Sequence, residues 1–138
     1  MPGPDFLDTN VLVSAFDVSD LAKQRAAQDL VRKAVAGELV ISTQVMAEFA
    51  ATLLHKLVPV QPPEDVVALL DILAPIRLIT PDADTVRRAV EARSAYGVHF
   101  YDGMIIAAAE RAGCEKIWSE DFNTGQKYFG ITAVNPFR

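Results

Sequence analysis

The chain has 138 residues, 51% of them hydrophobic, and a formal net charge of −5. Its length suits one folded domain, residues 1–138, and its composition excludes a disordered chain. The acidic balance argues against broad, non-specific gripping of nucleic acid through many basic contacts.

A single cysteine, Cys114, excludes an internal disulfide. The apolar stretches are short and broken by polar residues, so no membrane span is expected. The N-terminus lacks a charged region followed by a continuous apolar one. No export signal is therefore read, and the cytoplasm is the expected location.

The predicted elements alternate along the chain. Asp5 to Asp8 reads as a strand and Asn10 to Phe16 as a short helix. Leu21 to Ala36 is amphipathic, with Ala27, Leu30, Val31, Ala34 and Val35 at helical spacing, and Gly37 stops it. Leu39 to Ile41 is a buried-strand candidate. Ser42 or Thr43 then caps a helix to about Leu57, with Val45, Phe49, Leu53 and Leu57 on one face. Pro62-Pro63-Glu64-Asp65 opens the next helix, to about Leu73. Ile76 to Ile79 reads as a strand, and Pro81-Asp82 starts a helix through about Ala95. Tyr101-Asp102 begins a helix ending near Gly113. Lys116 to Trp118 is a strand, Asn123 to Phe129 a short helix, and Ile131 to Val134 a last strand. Strands alternating with helices predict an α/β domain with a mostly parallel sheet of four to five strands, flanked by helices in three layers.

Four acids stand out in this frame. Asp8 lies at the carboxyl end of the first strand, where open α/β sheets build their sites. The same position suits a helix cap. Glu48 borders the apolar face of its helix, so its carboxylate is expected to be held partly out of water, although an exposed surface glutamate has the same spacing. Asp102 opens an otherwise small and apolar helix, where the dipole favours an acid in any case. Asp121 repeats the setting of Asp8, with a turn-forming role as the plainer reading and Glu120 as its neighbour. Four carboxylates brought together suit hard divalent cations, and such sites serve phosphate-ester chemistry. Cations bound there also offset negative charge, so net acidity does not exclude a nuclease.

The ordered set Leu7-Asp8-Thr9-Asn10, Glu48, Tyr101-Asp102 with Ile105-Ile106-Ala107, and Ser119-Glu120-Asp121-Phe122 resembles the PIN-domain family, and within it the VapC-like toxins of prokaryotic toxin–antitoxin pairs. The resemblance covers essentially the whole chain. It implies Mg²⁺ (or Mn²⁺) bound by Asp8, Glu48, Asp102 and Asp121, and a metal-dependent endoribonuclease that hydrolyses RNA phosphodiester bonds. It makes Thr9, Asn10 and Ser119 candidate hydrogen-bond partners of ligands or phosphate. It also implies a cognate antitoxin protein and a homodimer. An amphipathic antitoxin segment would lie in a groove walled by the helices at Asn10 to Phe16 and Leu21 to Ala36.

Other readings meet the same residues less well. A phosphoacceptor, receiver-like signalling domain also binds Mg²⁺, but Asp8 lacks an adjacent acidic partner and no strand-end aspartate follows Ile41. A phosphohydrolase with an aspartate nucleophile wants a second aspartate where Asn10 stands. No Walker loop and no Gly-x-Gly-x-x-Gly fingerprint marks a nucleotide site. A non-catalytic PIN-like RNA-binding adaptor is the remaining alternative. His55 reads as a surface residue, Cys114 as a buried or boundary thiol, and Phe100, Tyr101 and Trp118 as packing residues. Arg87, Arg88 and Arg93 share one helix and read as a solvated face.

Overall fold

The computed structural model describes residues 3–138, and in it short apolar strands alternate with helices. The strands are β1 (Asp5–Leu7), β2 (Leu39–Ser42), β3 (Arg77–Ile79), β4 (Lys116–Trp118), β5 (Lys127–Tyr128) and β6 (Ile131–Val134). The helices are α1 (Thr9–Ser14), α2 (Leu21–Val35), α3 (Thr43–His55), α4 (Pro63–Leu73), α5 (Ala83–Tyr96) and α6 (Phe100–Arg111). They form one sheet in the order β3-β2-β1-β4-β6-β5. Every neighbouring pair is parallel except β5 and β6.

The chain builds outward from β1 to β2 and β3, then returns to the other side of β1 with β4. Right-handed crossovers on the two sides put helices on opposite faces of the sheet. The strand order reverses between β1 and β4, and a crevice opens beyond the carboxyl ends of strands at such a point. The order also sets aside the receiver-like reading, in whose sheet β1 lies between β2 and β3; here β1 lies between β2 and β4.

The core follows the apolar pattern. All four residues of β2 are buried, as central parallel strands require. Val45, Phe49 and Leu53 carry α3 into the core, and Leu57 packs partly against it. Ser42 caps this helix, accepting the Val45 N–H at 3.2 Å. Asp82 caps α5 in a reciprocal box with Thr85. Gly103 through Ala109 of α6 are all buried. In α2 the outermost predicted core position, Val35, is instead 37% exposed.

Two expectations are corrected. Asn123 to Phe129 forms no helix: Gly125 takes a left-handed φ of 86°, and Lys127–Tyr128 pairs antiparallel with β6. The sheet therefore has six strands rather than four to five. Of the three arginines on α5, Arg87 and Arg93 are exposed as expected, but Arg88 is drawn into contacts. Arg88 forks onto Glu110 at 2.8 and 2.9 Å, pairs with Glu91, and lies 3.5 Å from the centre of the Phe129 ring. Arg93 donates to the Val98 carbonyl at 3.0 Å.

Candidate functional site

Parallel pairing sets the site. Leu7 lies opposite Trp118, and the Asp8 N–H donates to the Trp118 carbonyl at 3.0 Å. The residues that follow β1 and β4 therefore leave the sheet side by side. Asp8 comes first after β1 and caps α1, accepting the Thr9 N–H at 2.7 Å. It is a cap and also part of the cleft described below, so the two readings of this residue coexist.

Ser119, first after β4, is fully buried. Its hydroxyl donates to Asp8 Oδ2 at 2.8 Å. It accepts from Asn10 Nδ2 at 3.2 Å and from the Asp121 N–H at 3.1 Å. Asn10 Oδ1 in turn accepts the Glu120 N–H at 3.3 Å. These bonds lock the loop carrying Asp121 onto the start of α1.

The other two acids come from helices. Glu48 stands on α3 and is exposed, which corrects the expectation of a carboxylate held partly out of water. Its Oε1 accepts from Thr9 Oγ1 at 3.0 Å and more distantly from Gln44 Nε2 at 3.5 Å. Asp102 lies in the first turn of α6 and is half-buried. Gln44 also donates to the Tyr101 carbonyl at 3.0 Å, which ties α3 to the start of α6.

Asp8, Glu48, Asp102 and Asp121 line one cleft of about 360 Å³, together with Thr9 and Asn10. Ser119 lies beneath it. The cleft sits at the strand-order reversal, beyond the carboxyl ends of β1 and β4.

The electrostatics follow from crowding. Asp8 is 4% exposed, and burial pushes its carboxyl up to about 7. Bonds from Ser119 and Thr9 work against that rise, while the charges of Asp121 and Asp102 add to it. The Asp102 carboxyl is also raised, first by burial and then by Asp121; His99 opposes the shift and Glu48 adds to it. A cleft that makes carboxylates hard to ionise favours a cation among them. Among the described residues, no three His, Cys, Asp or Glu side chains are already drawn tightly enough to hold a metal as they stand. The donors match a hard cation in kind.

Reasoning from the sequence missed three residues here. Gln44 bridges Glu48 and Tyr101, and Thr52 and Lys56 line the cleft. All three stand at multiples of four from Glu48, so helical spacing carried the signal. Tyr101, read as a packing residue, is 57% exposed. Cys114 is buried, which pushes its thiol up to about 12.

The family model described as PIN domain matches residues 6–129. No curated protein sequence matches the chain. Among solved structures, the fold is similar to that of a toxin–antitoxin complex from Klebsiella pneumoniae, at 19% identity over 96% of this chain and 97% of that one, TM-score 0.68. It is similar to Mycobacterium tuberculosis VapC20, a sarcin–ricin loop cleaving toxin, at 19% identity over 85% and 89%, TM-score 0.67. It is also similar to FitAcB from Neisseria gonorrhoeae, at 18% identity over 96% and 98%, TM-score 0.66. At these identities the likeness shows the fold alone.

Proposed function

The chain belongs to the PIN domain family, and on that footing we propose that it is a Mg²⁺- or Mn²⁺-dependent endoribonuclease that hydrolyses RNA phosphodiester bonds. We further propose that it is the toxin of a toxin–antitoxin pair. The observation that carries the reading is convergence. Asp8, Glu48, Asp102 and Asp121 come from four separate segments and line one cleft at the strand-order reversal.

The donor set fits the cation. Mg²⁺ and Mn²⁺ prefer hard carboxylate oxygens and retain room for phosphate oxygens. Asp8, Glu48, Asp102 and Asp121 would hold it, directly or through water. When bound, it supplies phosphate polarisation and a more acidic water.

The chain's own residues divide the remaining work. Asp8 is immobilised by Thr9 and Ser119 and anchors the cleft floor. Asp102 and Asp121 face it from α6 and from the loop after β4. Glu48, exposed like Asp121, is hydrogen-bonded through Oε1. Its Oε2 is the acceptor suited to orient an attacking water or take its proton. Thr9 positions Glu48, while Asn10 and Ser119 hold the Asp121 loop in place.

An antitoxin partner is supported by the fold, since structures of similar fold include toxin–antitoxin complexes. A groove between α1 and α2, lined by Ala15, Phe16, Val31 and neighbouring polar residues, suits an amphipathic segment. A homodimer belongs to the same proposal, and light scattering of the purified chain reads it directly. No helix among the described residues is long and apolar enough to cross a membrane; a cytoplasmic site of action is proposed with the toxin role.

The test is cleavage. The chain is incubated with an oligoribonucleotide in Mn²⁺ or in chelator, beside Asp8→Asn and Asp102→Asn. Metal-dependent cutting by the native chain and at least hundredfold loss in both variants is expected. Undiminished cutting by the variants would overturn the site.

A further inference from the structure

Among the described residues lining the acidic cleft, Lys56 is the one cation. It stands where α3 ends. Glu48, Thr52 and Lys56 recur at intervals of four, so they share one side of that helix over about 12 Å of its length. Along this wall the chemistry runs from carboxylate to hydroxyl to ammonium. The Thr52 hydroxyl is committed as a donor, to the Glu48 carbonyl at 2.8 Å. Among the described residues no carboxylate pairs with Lys56, although four acids line the same cleft. Its ammonium therefore stands exposed at the cleft margin with its donors available.

Resting on the ribonuclease reading above, we propose that Lys56 is a substrate-binding residue that takes the RNA phosphate flanking the scissile one. A polyanion entering a cleft of carboxylates on a chain of net charge −5 meets repulsion away from any bound cation. An ammonium one helical step beyond Thr52 neutralises the next phosphate without competing for the acids. Such a contact adds affinity and positions the strand without reading bases. The plainer role for a lysine at this place is complementing the dipole of α3 at its carboxyl end. That role changes stability alone.

The experiment compares native chain, Lys56→Arg, Lys56→Gln and Lys56→Glu on a labelled oligoribonucleotide in Mn²⁺ over a series of KCl concentrations. Steady-state rates are measured in the native background. Binding is measured by anisotropy in an Asp102→Asn background, where cutting is suppressed. Lys56→Gln is expected to raise KM and Kd about three- to tenfold with kcat within about twofold. The slope of log affinity against log salt should shrink by about 0.7, the value of one single-strand phosphate contact. Lys56→Arg should restore most of the loss, and Lys56→Glu should exceed it. The rise in Tm given by Mn²⁺ should match that of the native chain in all three.

Native KM, Kd and salt slope in Lys56→Gln would overturn the proposal. So would equal impairment of Lys56→Arg and Lys56→Gln, or a loss that tracks lowered Tm. The ribonuclease reading fails separately: a native chain that binds RNA through Lys56 but never cuts it contradicts that reading alone. RNA neither bound nor cut overturns both.

Discussion

Ser119, the first residue after β4, donates its hydroxyl to Oδ2 of Asp8, the first residue after β1, at 2.8 Å. The two strands are parallel neighbours, so both side chains leave the sheet at the same edge. The hydroxyl has one proton and two lone pairs. All are used, by Asp8, Asn10 and the Asp121 N–H. The fold thus fixes the orientation of Asp8, and Ser119 is the joint between two of the four acids.

Replacing that joint should be costly. Ser119→Ala removes a fully buried hydroxyl and leaves Asn10 and the Asp121 N–H without their acceptor. A loss of about 1–3 kcal/mol in unfolding free energy is expected. Urea titration followed by circular dichroism measures it. A midpoint equal to that of the native chain would show that the network is dispensable.

Asp8 makes a signed prediction about pH in the metal-free chain. Its folded carboxyl is raised from the ordinary 3.8 to about 7. Between those values the folded state holds a proton that the unfolded state has released. The stability contribution of Asp8 is therefore full below about pH 4 and is lost as pH rises through about 7. Asp8→Asn removes the loss, since it carries no charge. In chelator the variant should match the native chain near pH 4 and exceed it near pH 8. The gap should widen by about 1.4 kcal/mol for each pH unit climbed between the unfolded and folded carboxyl values, then level off. Parallel pH curves for the two chains would contradict the buried-carboxylate account.

Gly103 should not tolerate a methyl group. It follows Asp102 in α6, where a Cβ would fall 2.6 Å from the Ala89 carbonyl oxygen of α5 and 3.2 Å from its carbonyl carbon. Both neighbours are backbone and cannot rotate away. Gly103→Ala gains roughly 1 kcal/mol of helix propensity, but a clash with fixed backbone puts overpacking at the upper end of its range, about 3 kcal/mol. The balance should lower Tm by a few degrees, roughly 2–8 °C. It should also lower nuclease rate by more than that loss implies, because Asp102 moves with the helix. A Tm at or above the native value would mean that α5 and α6 separate freely.

Much of this molecule is legible in its sequence, for local reasons. The strands at Lys116–Trp118 and Ile131–Val134 are bounded by turn residues and match the structure residue for residue. Ser42 and Asp82 announce their helices because capping is a contact over three residues. What sequence reasoning missed depends on distant partners. β5 has two residues and exists only because β6 lies beside it. Periodicity puts Glu48 at the border of an apolar face, but no neighbour covers that border and the carboxylate is exposed. Arg88 reads as one solvated arginine among three until Glu110 and Phe129 come to it from other elements. The four acids stand out singly with weak signals. Their common cleft follows from a strand order that no local pattern encodes.

The proposed cation site joins Asp8, Glu48, Asp102 and Asp121. Calorimetric titration of Mn²⁺ into the native chain, Asp8→Asn and Asp102→Asn at neutral pH tests it most directly, with Tm measured on the same samples. Saturable binding and a raised Tm are expected for the native chain, with at least a tenfold loss of affinity in each variant. Unaltered binding in both variants, or a native Tm identical in Mn²⁺ and in chelator, would contradict it.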